Sequence, residues 1–236
     1  MELGDIHVAV LAGGKGSRLQ SVLPRTPKIL APLGRQPLLA WLLDQLAGQG
    51  ARRVTLCLGH LADQVIDWIK AHPRSSVKVE WIVEPKPLGT AGALLYAMRR
   101  MSSDPLLALN GDTLLDVDLN EFLAAFSASR PACALVRVHV EDTSRYGRLE
   151  LDGEGYVVRF LEKDPLRAEP GWINGGYYLF SARFLQGLQR LEQGSLEHDV
   201  LAQLPPGSIL TFPTCGRFLD IGTPESLRQA EEVFRK

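Results

Sequence analysis

The sequence predicts an α/β protein built on a doubly wound, Rossmann-like mixed sheet. Short apolar segments alternate with segments of helical periodicity over the first 110 residues, which is typical of β-α-β units. Apart from residues 77–83, the apolar segments have no clear polar face, as expected of parallel strands covered on both sides. Beyond about residue 130 strands follow one another directly, so we expect antiparallel additions beside the parallel part.

The first half contains four predicted strands and three predicted helices. Residues 7–11 form a short apolar segment that ends before glycine, and residues 37–46 begin with proline and carry leucines along one face. Residues 53–58 and 105–109 are apolar strand segments, and residues 77–83 alternate. Helices are predicted over residues 62–71 and over the Gly- and Ala-rich residues 89–101.

The second half is predicted to be mainly antiparallel. Residues 132–140 form a strand, and residues 147–151 and 156–161 form a hairpin across a turn rich in Asp and Gly. Residues 172–180 form a further strand, and residues 224–234 a closing helix. No Ser- or Gly-rich linker divides the chain, so we predict one domain over residues 1–236.

Composition excludes several classes of function. The 236 residues include 26 Lys and Arg and 27 Asp and Glu, and this balance argues against a nucleic-acid partner bound through a broad basic face. No apolar run reaches the roughly 18 residues of a membrane span, and residues 1–5 do not resemble a signal peptide. Cys57 and Cys133 lie in apolar segments, which indicates buried thiols in a reducing compartment. We expect a soluble, cytoplasmic protein without a membrane partner.

A glycine-rich loop follows the first predicted strand. Gly13, Gly14 and Gly16 can expose backbone N–H groups, and a helix starting behind them would complete a phosphate-binding site. Lys15 and Arg18 add positive charge beside these amides. The spacing differs from that of a P-loop and from the dinucleotide fingerprint, so an ordinary strand-to-helix turn is the alternative.

Lys28 lies on a segment that two prolines stiffen. Pro24 and Pro27 restrict the backbone around Thr26, so Lys28 is held in a rigid frame behind the glycine loop. A cation in that place could bridge the phosphates of two substrates. The alternative is a solvated surface lysine.

The loop from Leu11 to Leu19, followed by Pro27 and Lys28, resembles the sugar-phosphate nucleotidyltransferases, the pyrophosphorylases that make nucleotide sugars. The resemblance extends from about Val8 to Phe234. It implies the nucleotide-diphospho-sugar transferase (GT-A-like) fold. It also implies transfer of a nucleoside monophosphate from a nucleoside triphosphate to a sugar 1-phosphate, with release of pyrophosphate. Residues 1–130 would bind the nucleotide, and residues 131–236 the sugar phosphate.

The resemblance implies a set of nucleotide-binding and catalytic residues. Glu84 could accept a hydrogen bond from a base N–H, and Gly89 would let the backbone approach a flat ring; a proline-rich turn capping a helix is the alternative. Catalytic roles are implied for Arg18, Lys28 and Asp112. The nucleotide-binding residues would be Leu11, Ala12, Gly13, Gly14, Lys15, Gly16, Ser17, Glu84, Gly89 and Thr90.

Two carboxylates are expected to hold Mg²⁺. Asp112 follows an apolar strand, and the carboxyl end of a parallel strand points toward the ligand crevice of such a sheet. By resemblance Asp112 and Asp220 are the metal ligands, with substrate phosphates completing the coordination. The alternative for Asp112 is a turn or cap residue. We interpret the nearby Asp116 and Asp118 as turn and N-cap residues.

The sugar-phosphate side is also assigned by resemblance. A Glu-Lys pair and an Asn-x-Gly strand would contact the sugar, whereas a surface charge pair and a β-bulge are the alternatives. An extra Asp164 before Pro165 departs from the family pattern. The residues implied in sugar-phosphate binding are Tyr146, Gly147, Glu162, Lys163, Asn174 and Gly175.

Within the family, the motifs most resemble those of the D-glycero-α-D-manno-heptose 1-phosphate guanylyltransferases, which implies GTP as donor and a role in cell-surface glycan synthesis. The motifs that carry this resemblance are residues 110–113, 116–118, 144–147, 173–176 and 195–197. Mannose-1-phosphate guanylyltransferase, N-acetylmuramate-1-phosphate uridylyltransferase and glucose-1-phosphate thymidylyltransferase activities are alternatives. A catalytically silent nucleotide-sugar sensor is an alternative of another class. A Rossmann oxidoreductase would need a third glycine at Leu19 and an acid where Gly59 and His60 stand. A homo-oligomer is compatible with the resemblance.

Overall fold

A computed structural model of the chain describes residues 1–161, 166 and 168–234. A nine-stranded sheet forms its centre, and two small two-stranded ribbons lie beside it. The strands are β1 (His7–Ala12), β2 (Pro32–Leu33), β3 (Gln36–Pro37), β4 (Arg53–Leu58), β5 (Lys78–Val83), β6 (Leu106–Asn110), β7 (Thr113–Leu115), β8 (Cys133–Val140), β9 (Arg148–Leu151), β10 (Val157–Leu161), β11 (Gly171–Phe180), β12 (Ile209–Thr214) and β13 (Phe218–Asp220). The α-helices are α1 (Leu38–Gly48), α2 (Ala62–Ala71), α3 (Gly89–Ala97), α4 (Leu119–Ser129), α5 (Ala182–Gly187) and α6 (Pro224–Phe234).

The parallel part of the sheet has the order β5-β4-β1-β6. Successive residues of β1 pack into opposite apolar clusters: Val8 and Val10 face α1, α2 and α4, whereas Ala9 and Leu11 face α3 and α5. Burial on both faces is why β1, β4 and β6 are largely apolar, whereas β5, at the edge of the sheet, carries the exposed Lys78 and Glu80. The chain builds outward from β1 to β5 and then returns to place β6 on the other side of β1. This reversal creates a crevice at the carboxyl ends of β1 and β6.

The antiparallel part continues from β6. β11 pairs antiparallel with β6 and with β8, β12 runs parallel to β8, and the β9-β10 hairpin lies beside the first half of β11. The predicted α/β class with antiparallel additions is therefore confirmed. The pairing of β11 with β8 is interrupted between Asn174 and Tyr178, where Gly176 has φ +77°. This is the bulge that the two adjacent glycines allowed.

Most predicted segments agree with the observed elements, and β4, α2 and α6 agree at both ends. The prediction for α3 is wrong at its end, because the helix stops at Ala97 rather than at Met101. Arg99 and Arg100 donate backbone hydrogen bonds to residues three positions earlier, so the helix tightens into turns there. The two ribbons, β2-β3 and β7-β13, were not predicted. In the described part of the chain, none of the helices is both long and apolar enough to cross a membrane.

Candidate active site

The glycine loop, residues 13–16, leaves β1 at the crevice. Gly16 has φ +58° and leads into a single 3-10 turn, Ser17–Leu19. The predicted helix behind the loop is therefore wrong. Val22 and Leu23 both donate backbone hydrogen bonds to the Leu19 carbonyl, which turns the chain toward Pro24. Because no long helix starts here, an anion at this loop would depend on loop amides and nearby cations.

A cavity of about 500 Å³ lies over the loop and the carboxyl ends of β1 and β6. Every predicted nucleotide-binding and catalytic residue lines it. These residues are Leu11, Ala12, Gly13, Gly14, Lys15, Gly16, Ser17, Arg18, Lys28, Glu84, Gly89, Thr90 and Asp112. We call this space the nucleotide cavity.

Glu84 is held at one end of the nucleotide cavity. Its Oε2 accepts a hydrogen bond from the Leu88 N–H at 3.1 Å. Its Oε1 lies against Gly13 and Gly59, where an added Cβ would come within 3.0 and 2.4 Å of that oxygen. Burial raises the pKa of Glu84, although the Leu88 hydrogen bond acts in the opposite direction. The two glycines therefore make room for a carboxylate.

Gly89 lines the same cavity, but the reason for a glycine there differs from the expected one. Its φ is +73°, and an added Cβ would lie 2.4 Å from the Gly194 carbonyl oxygen. The chain segment around Gly194 thus passes directly over the start of α3, and a side chain at position 89 would prevent this approach. Packing within the protein, rather than approach to a ring, accounts for this residue.

Lys28, Asp112 and Asp220 lie together at the other end. Lys28 Nζ donates to Asp112 Oδ2 in an ion pair. The β7-β13 ribbon pairs Asp220 with Thr113, and the Ile221 N–H donates to the Asp112 carbonyl at 3.1 Å. Burial, followed by the charge of Asp112, raises the pKa of Asp220, whereas Lys28 lowers it. Two carboxylates from distant parts of the chain thus share one polar site.

This pair fits a hard divalent cation that also binds phosphate. In the described ranges, no group of three or more His, Cys, Asp or Glu residues could hold a metal ion by itself. Mg²⁺ is commonly held by one or two carboxylates together with substrate phosphates. The absence of a side chain at Gly222 leaves space beside the pair. An added Cβ at this position would fill that space, because it would lie 2.9 Å from Asp220 Oδ2. The donor set is therefore of the kind that Mg²⁺ uses.

A second cavity, of about 410 Å³, adjoins the first. We call it the sugar cavity. Asn174 is fixed within it, because its Nδ2 donates to the Tyr178 hydroxyl at 2.8 Å and its Oδ1 accepts from the Gly176 N–H at 2.9 Å. Burial, followed by the charge of Asp220, raises the pKa of Tyr146. Glu162 and Lys163 lie outside the described residues. Predicted residues that line this cavity are Tyr146, Gly147, Asn174, Gly175 and Asp220.

The two cavities share a wall formed by Arg18, Asn110, Asp112 and Glu197. Glu197 was missed as a site residue, because residues 195–199 by themselves indicate a capped helix start and their resemblance to a segment of the heptose and mannose branch carried no role for Glu197. Ser195 does cap this segment, accepting from the His198 N–H at 3.2 Å. Arg145 was also missed. It lines the sugar cavity and donates from Nη2 to Thr223 Oγ1 at 3.1 Å, and its only signal was its place directly before Tyr146.

Comparison with known proteins agrees with this geometry. A family described as "Nucleotidyl transferase" matches residues 8–236. The chain belongs to the nucleotidyl transferase family. The family resemblance inferred from the glycine loop and Lys28 is therefore confirmed, as is the assignment of the chain to an enzyme class. The proposed roles of individual residues stay predictions.

Several relatives of this nucleotidyl transferase cover the whole chain. D-glycero-α-D-manno-heptose 1-phosphate guanylyltransferase of Aneurinibacillus thermoaerophilus is 29% identical over 98% of this chain and 99% of its own length. Mannose-1-phosphate guanylyltransferase of Mycobacterium tuberculosis is 30% identical over 100% of this chain and 66% of its own length. HddC from Yersinia pseudotuberculosis, crystallised with GMP-PN, superposes with a TM-score of 0.85 at 33% identity, covering 97% of this chain and 99% of that chain.

Proposed function

We propose that the protein transfers a guanylyl group from GTP to a sugar 1-phosphate, with D-glycero-α-D-manno-heptose 1-phosphate as the preferred acceptor. The observation that carries the proposal is the pair of adjoining cavities that share Arg18 and Asp112. A triphosphate in one cavity and a sugar phosphate in the other would meet at that wall. The activity named for the Aneurinibacillus relative and the GMP-PN bound to the Yersinia structure support the choice of substrates.

The main requirement of this reaction is that the protein binds two polyanions next to each other. A phosphate oxygen of the sugar 1-phosphate attacks the α-phosphorus, the bond to the bridging oxygen of the β-phosphate breaks, and pyrophosphate leaves. The attacking oxygen is already anionic, so no general base or covalent nucleophile is required. Loop amides of residues 13–16, with Lys15 and Arg18, would hold the triphosphate. Lys28 would stabilise the charge that develops at the α-phosphoryl group.

Asp112 and Asp220 would hold Mg²⁺, which supplies positive charge to the phosphate oxygens when bound. On the sugar side, Tyr146, Gly147, Asn174 and Gly175 would form the pocket. Lys163 is proposed to position the attacking phosphate and Glu162 to contact sugar hydroxyls.

The base would be recognised at Glu84. Guanine carries adjacent N1–H and N2–H donors, and a carboxylate presents two acceptor oxygens to such a pair. Uracil and thymine offer a single ring N–H on that edge, so the carboxylate favours guanine. The relatives that act with GTP agree with this choice.

The test is a substrate matrix with Mg²⁺ present. Each of GTP, UTP, dTTP, ATP and CTP is combined with heptose, mannose, glucose and N-acetylmuramate 1-phosphates, and pyrophosphate release is measured. We expect the highest rate with GTP and D-glycero-α-D-manno-heptose 1-phosphate. The 30% identity to a mannose-1-phosphate guanylyltransferase makes mannose 1-phosphate the second candidate acceptor. Binding of a nucleotide sugar without pyrophosphate from any pair would instead identify a sensor and contradict the proposal.

A further inference from the structure

Glu197 accepts hydrogen bonds from hydroxyl groups on two separate elements, one that lines the nucleotide cavity and one that lines the sugar cavity. Thr90 Oγ1, at the start of α3 in the nucleotide cavity, donates to Glu197 Oε2 at 3.1 Å. The Tyr178 hydroxyl, on β11, donates to Oε1 at 3.1 Å. Ser195 Oγ adds a third hydrogen bond to Oε2 at 3.0 Å. One carboxylate therefore joins a helix of the nucleotide cavity to a strand of the sugar cavity.

The connection continues on each side. In the nucleotide cavity, Thr90 Oγ1 also accepts from the Leu196 N–H at 2.7 Å. Beneath the sugar cavity, the buried Tyr178 hydroxyl accepts from Asn174, which lines that cavity and whose Oδ1 accepts from the Gly176 N–H in the bulge. The chain of hydrogen bonds thus runs from Thr90 to the backbone of the bulge. Side-chain networks of this kind hold their members in one arrangement when every group has a partner.

The segment that carries Glu197 is itself firmly held. Residues Leu196–Val200 form a short π-helical stretch, and such stretches occur frequently at functional sites. Asp199 Oδ2 accepts from the Ser195 N–H at 2.7 Å. The backbone of this segment also packs on α3, since the Ala91 N–H donates to the Gly194 carbonyl at 3.0 Å. Glu197 therefore lies in the shared wall on a backbone segment that hydrogen bonds hold in place.

We propose that Glu197 is a positioning residue: through its hydrogen bonds with Tyr178 and Thr90, it fixes the position of the sugar cavity relative to the nucleotide cavity. This inference rests on the proposed function and adds Glu197 to the residues that serve the proposed reaction. Loss of the carboxylate should leave the nucleotide contacts of the loop and of Glu84 in place. Tyr178 and Asn174 would no longer be linked to α3 by hydrogen bonds through Glu197. The sugar 1-phosphate should then be held less accurately for attack, although GTP still binds.

The test compares Glu197→Ala and Glu197→Gln with a matched control, Glu192→Ala. Glu192 is exposed, lies five positions earlier on the same segment and lines neither cavity, so its removal changes the charge alone. Three quantities are measured: the Kd of GTP by calorimetry without sugar phosphate, the kcat and KM from pyrophosphate release, and the melting temperature. The acceptors are D-glycero-α-D-manno-heptose 1-phosphate and α-D-mannose 1-phosphate.

We expect Glu197→Ala to lower kcat/KM for the sugar 1-phosphate roughly 10- to 100-fold, the range that the loss of a hydrogen bond to a charged group produces. The Kd of GTP should change less than about threefold, since the nucleotide contacts remain. Glu197→Gln should retain most of the activity that Glu197→Ala loses. Its amide can accept a hydrogen bond from one hydroxyl group and donate a hydrogen bond to another. Tyr178→Phe should give the same pattern, and combining it with Glu197→Ala should add little.

Equal losses in GTP affinity and in turnover, together with a lower melting temperature, would overturn the proposal in favour of a purely structural role. An unchanged kcat/KM in Glu197→Ala would also overturn it. A wild-type protein that binds both ligands without releasing pyrophosphate would contradict the proposed function instead. In that case the Kd of the sugar 1-phosphate in the presence of GTP decides the role of Glu197, and Glu197→Ala should still weaken it roughly tenfold.

Discussion

Glu84 Oε1 occupies the space that a side chain at Gly59 would need: an added Cβ at position 59 would lie only 2.4 Å from this oxygen. The same Cβ would lie 2.7 Å from the Gly13 carbonyl. Two segments that follow different strands are thus packed around one carboxylate at the end of the nucleotide cavity where we propose that the base binds.

Gly59→Ala should therefore displace Glu84 and weaken GTP binding. Misplacing a carboxylate that accepts from the base should raise the KM for GTP roughly tenfold or more, whereas the KM for the sugar 1-phosphate changes little. Steady-state kinetics with each substrate varied in turn measures both values. Gly187→Ala is the matched control, since Gly187 is exposed on α5 and an added Cβ there meets no atom within 4 Å. Equal kinetics for the two variants would contradict this account of Gly59.

Lys28→Ala should nearly abolish turnover without unfolding the protein. The side chain forms an ion pair with Asp112 at the wall where the phosphates would meet, so its removal takes away the positive charge that we propose stabilises the transition state. Loss of such a contact commonly costs roughly 10²- to 10³-fold in rate. Pyrophosphate release measures the rate, and thermal unfolding measures the fold. Lys70→Ala, which removes an exposed lysine from α2, should retain normal activity.

Asp220→Ala should have a comparable effect, because it removes one of the two carboxylates proposed to hold Mg²⁺. The variant should need a higher Mg²⁺ concentration for its remaining activity, which a titration of rate against metal concentration measures. A normal rate at the same Mg²⁺ concentration as the wild type would refute the metal-binding role.

The cysteines should differ sharply in reactivity. Burial raises the pKa of the Cys57 and Cys133 thiols to about 12, so neither supplies thiolate near neutral pH. Cys215 is exposed. We expect a thiol reagent at pH 8 to label one cysteine quickly in the folded protein and all three in denaturant, as counted by mass spectrometry. Cys215→Ser should show no fast labelling; fast labelling of this variant would mean that a core thiol is accessible.

His7 should make stability depend on pH. It is buried at the start of β1, with Nε2 2.8 Å from Thr55 Oγ1, and burial lowers its pKa below the ordinary value of 6.5. Between 6.5 and the lower folded value, the unfolded chain binds a proton that the folded chain does not. The free energy of unfolding should therefore fall as the pH drops below 6.5, by at most about 1.4 kcal/mol per pH unit from this group.

Urea unfolding of the wild type and His7→Gln at several pH values measures this contribution. The variant should show a weaker dependence on pH below 6.5, since Gln does not titrate. His139→Gln, at an exposed position, is the control and should leave the dependence unchanged. Parallel curves for the wild type and His7→Gln would exclude His7 as the source.

Elements with strong local patterns could be predicted from the sequence. The bounds of α2 follow from its apolar spacing, and Asp118 is the N-cap of α4 as predicted, accepting from the N–H groups of Asn120 and Glu121. The glycine loop and Lys28 line one cavity, as their short motifs led us to expect, and their roles there stay predictions.

Features that depend on distant pairing could not be predicted. The β7 and β13 strands have three residues each and form only against one another, so neither has a local pattern of its own. The role of Glu197 between the cavities could not be predicted, because its partners, Thr90 and Tyr178, come from an earlier helix and strand. The expected helix behind the glycine loop failed because the nearby prolines and turns outweigh a motif-based expectation.

The β7-β13 ribbon also determines when the catalytic centre can exist during synthesis. Asp112 and Asp220 are more than a hundred residues apart, and all nine strands of the main sheet precede β13 in the chain. A ribosome therefore completes the glycine loop, Lys28 and the whole sheet before it adds the second carboxylate. Up to that moment the nascent chain can form the sheet but cannot assemble the proposed metal site. The proposed metal site would thus form only after the segment that carries Asp220 has joined the fold.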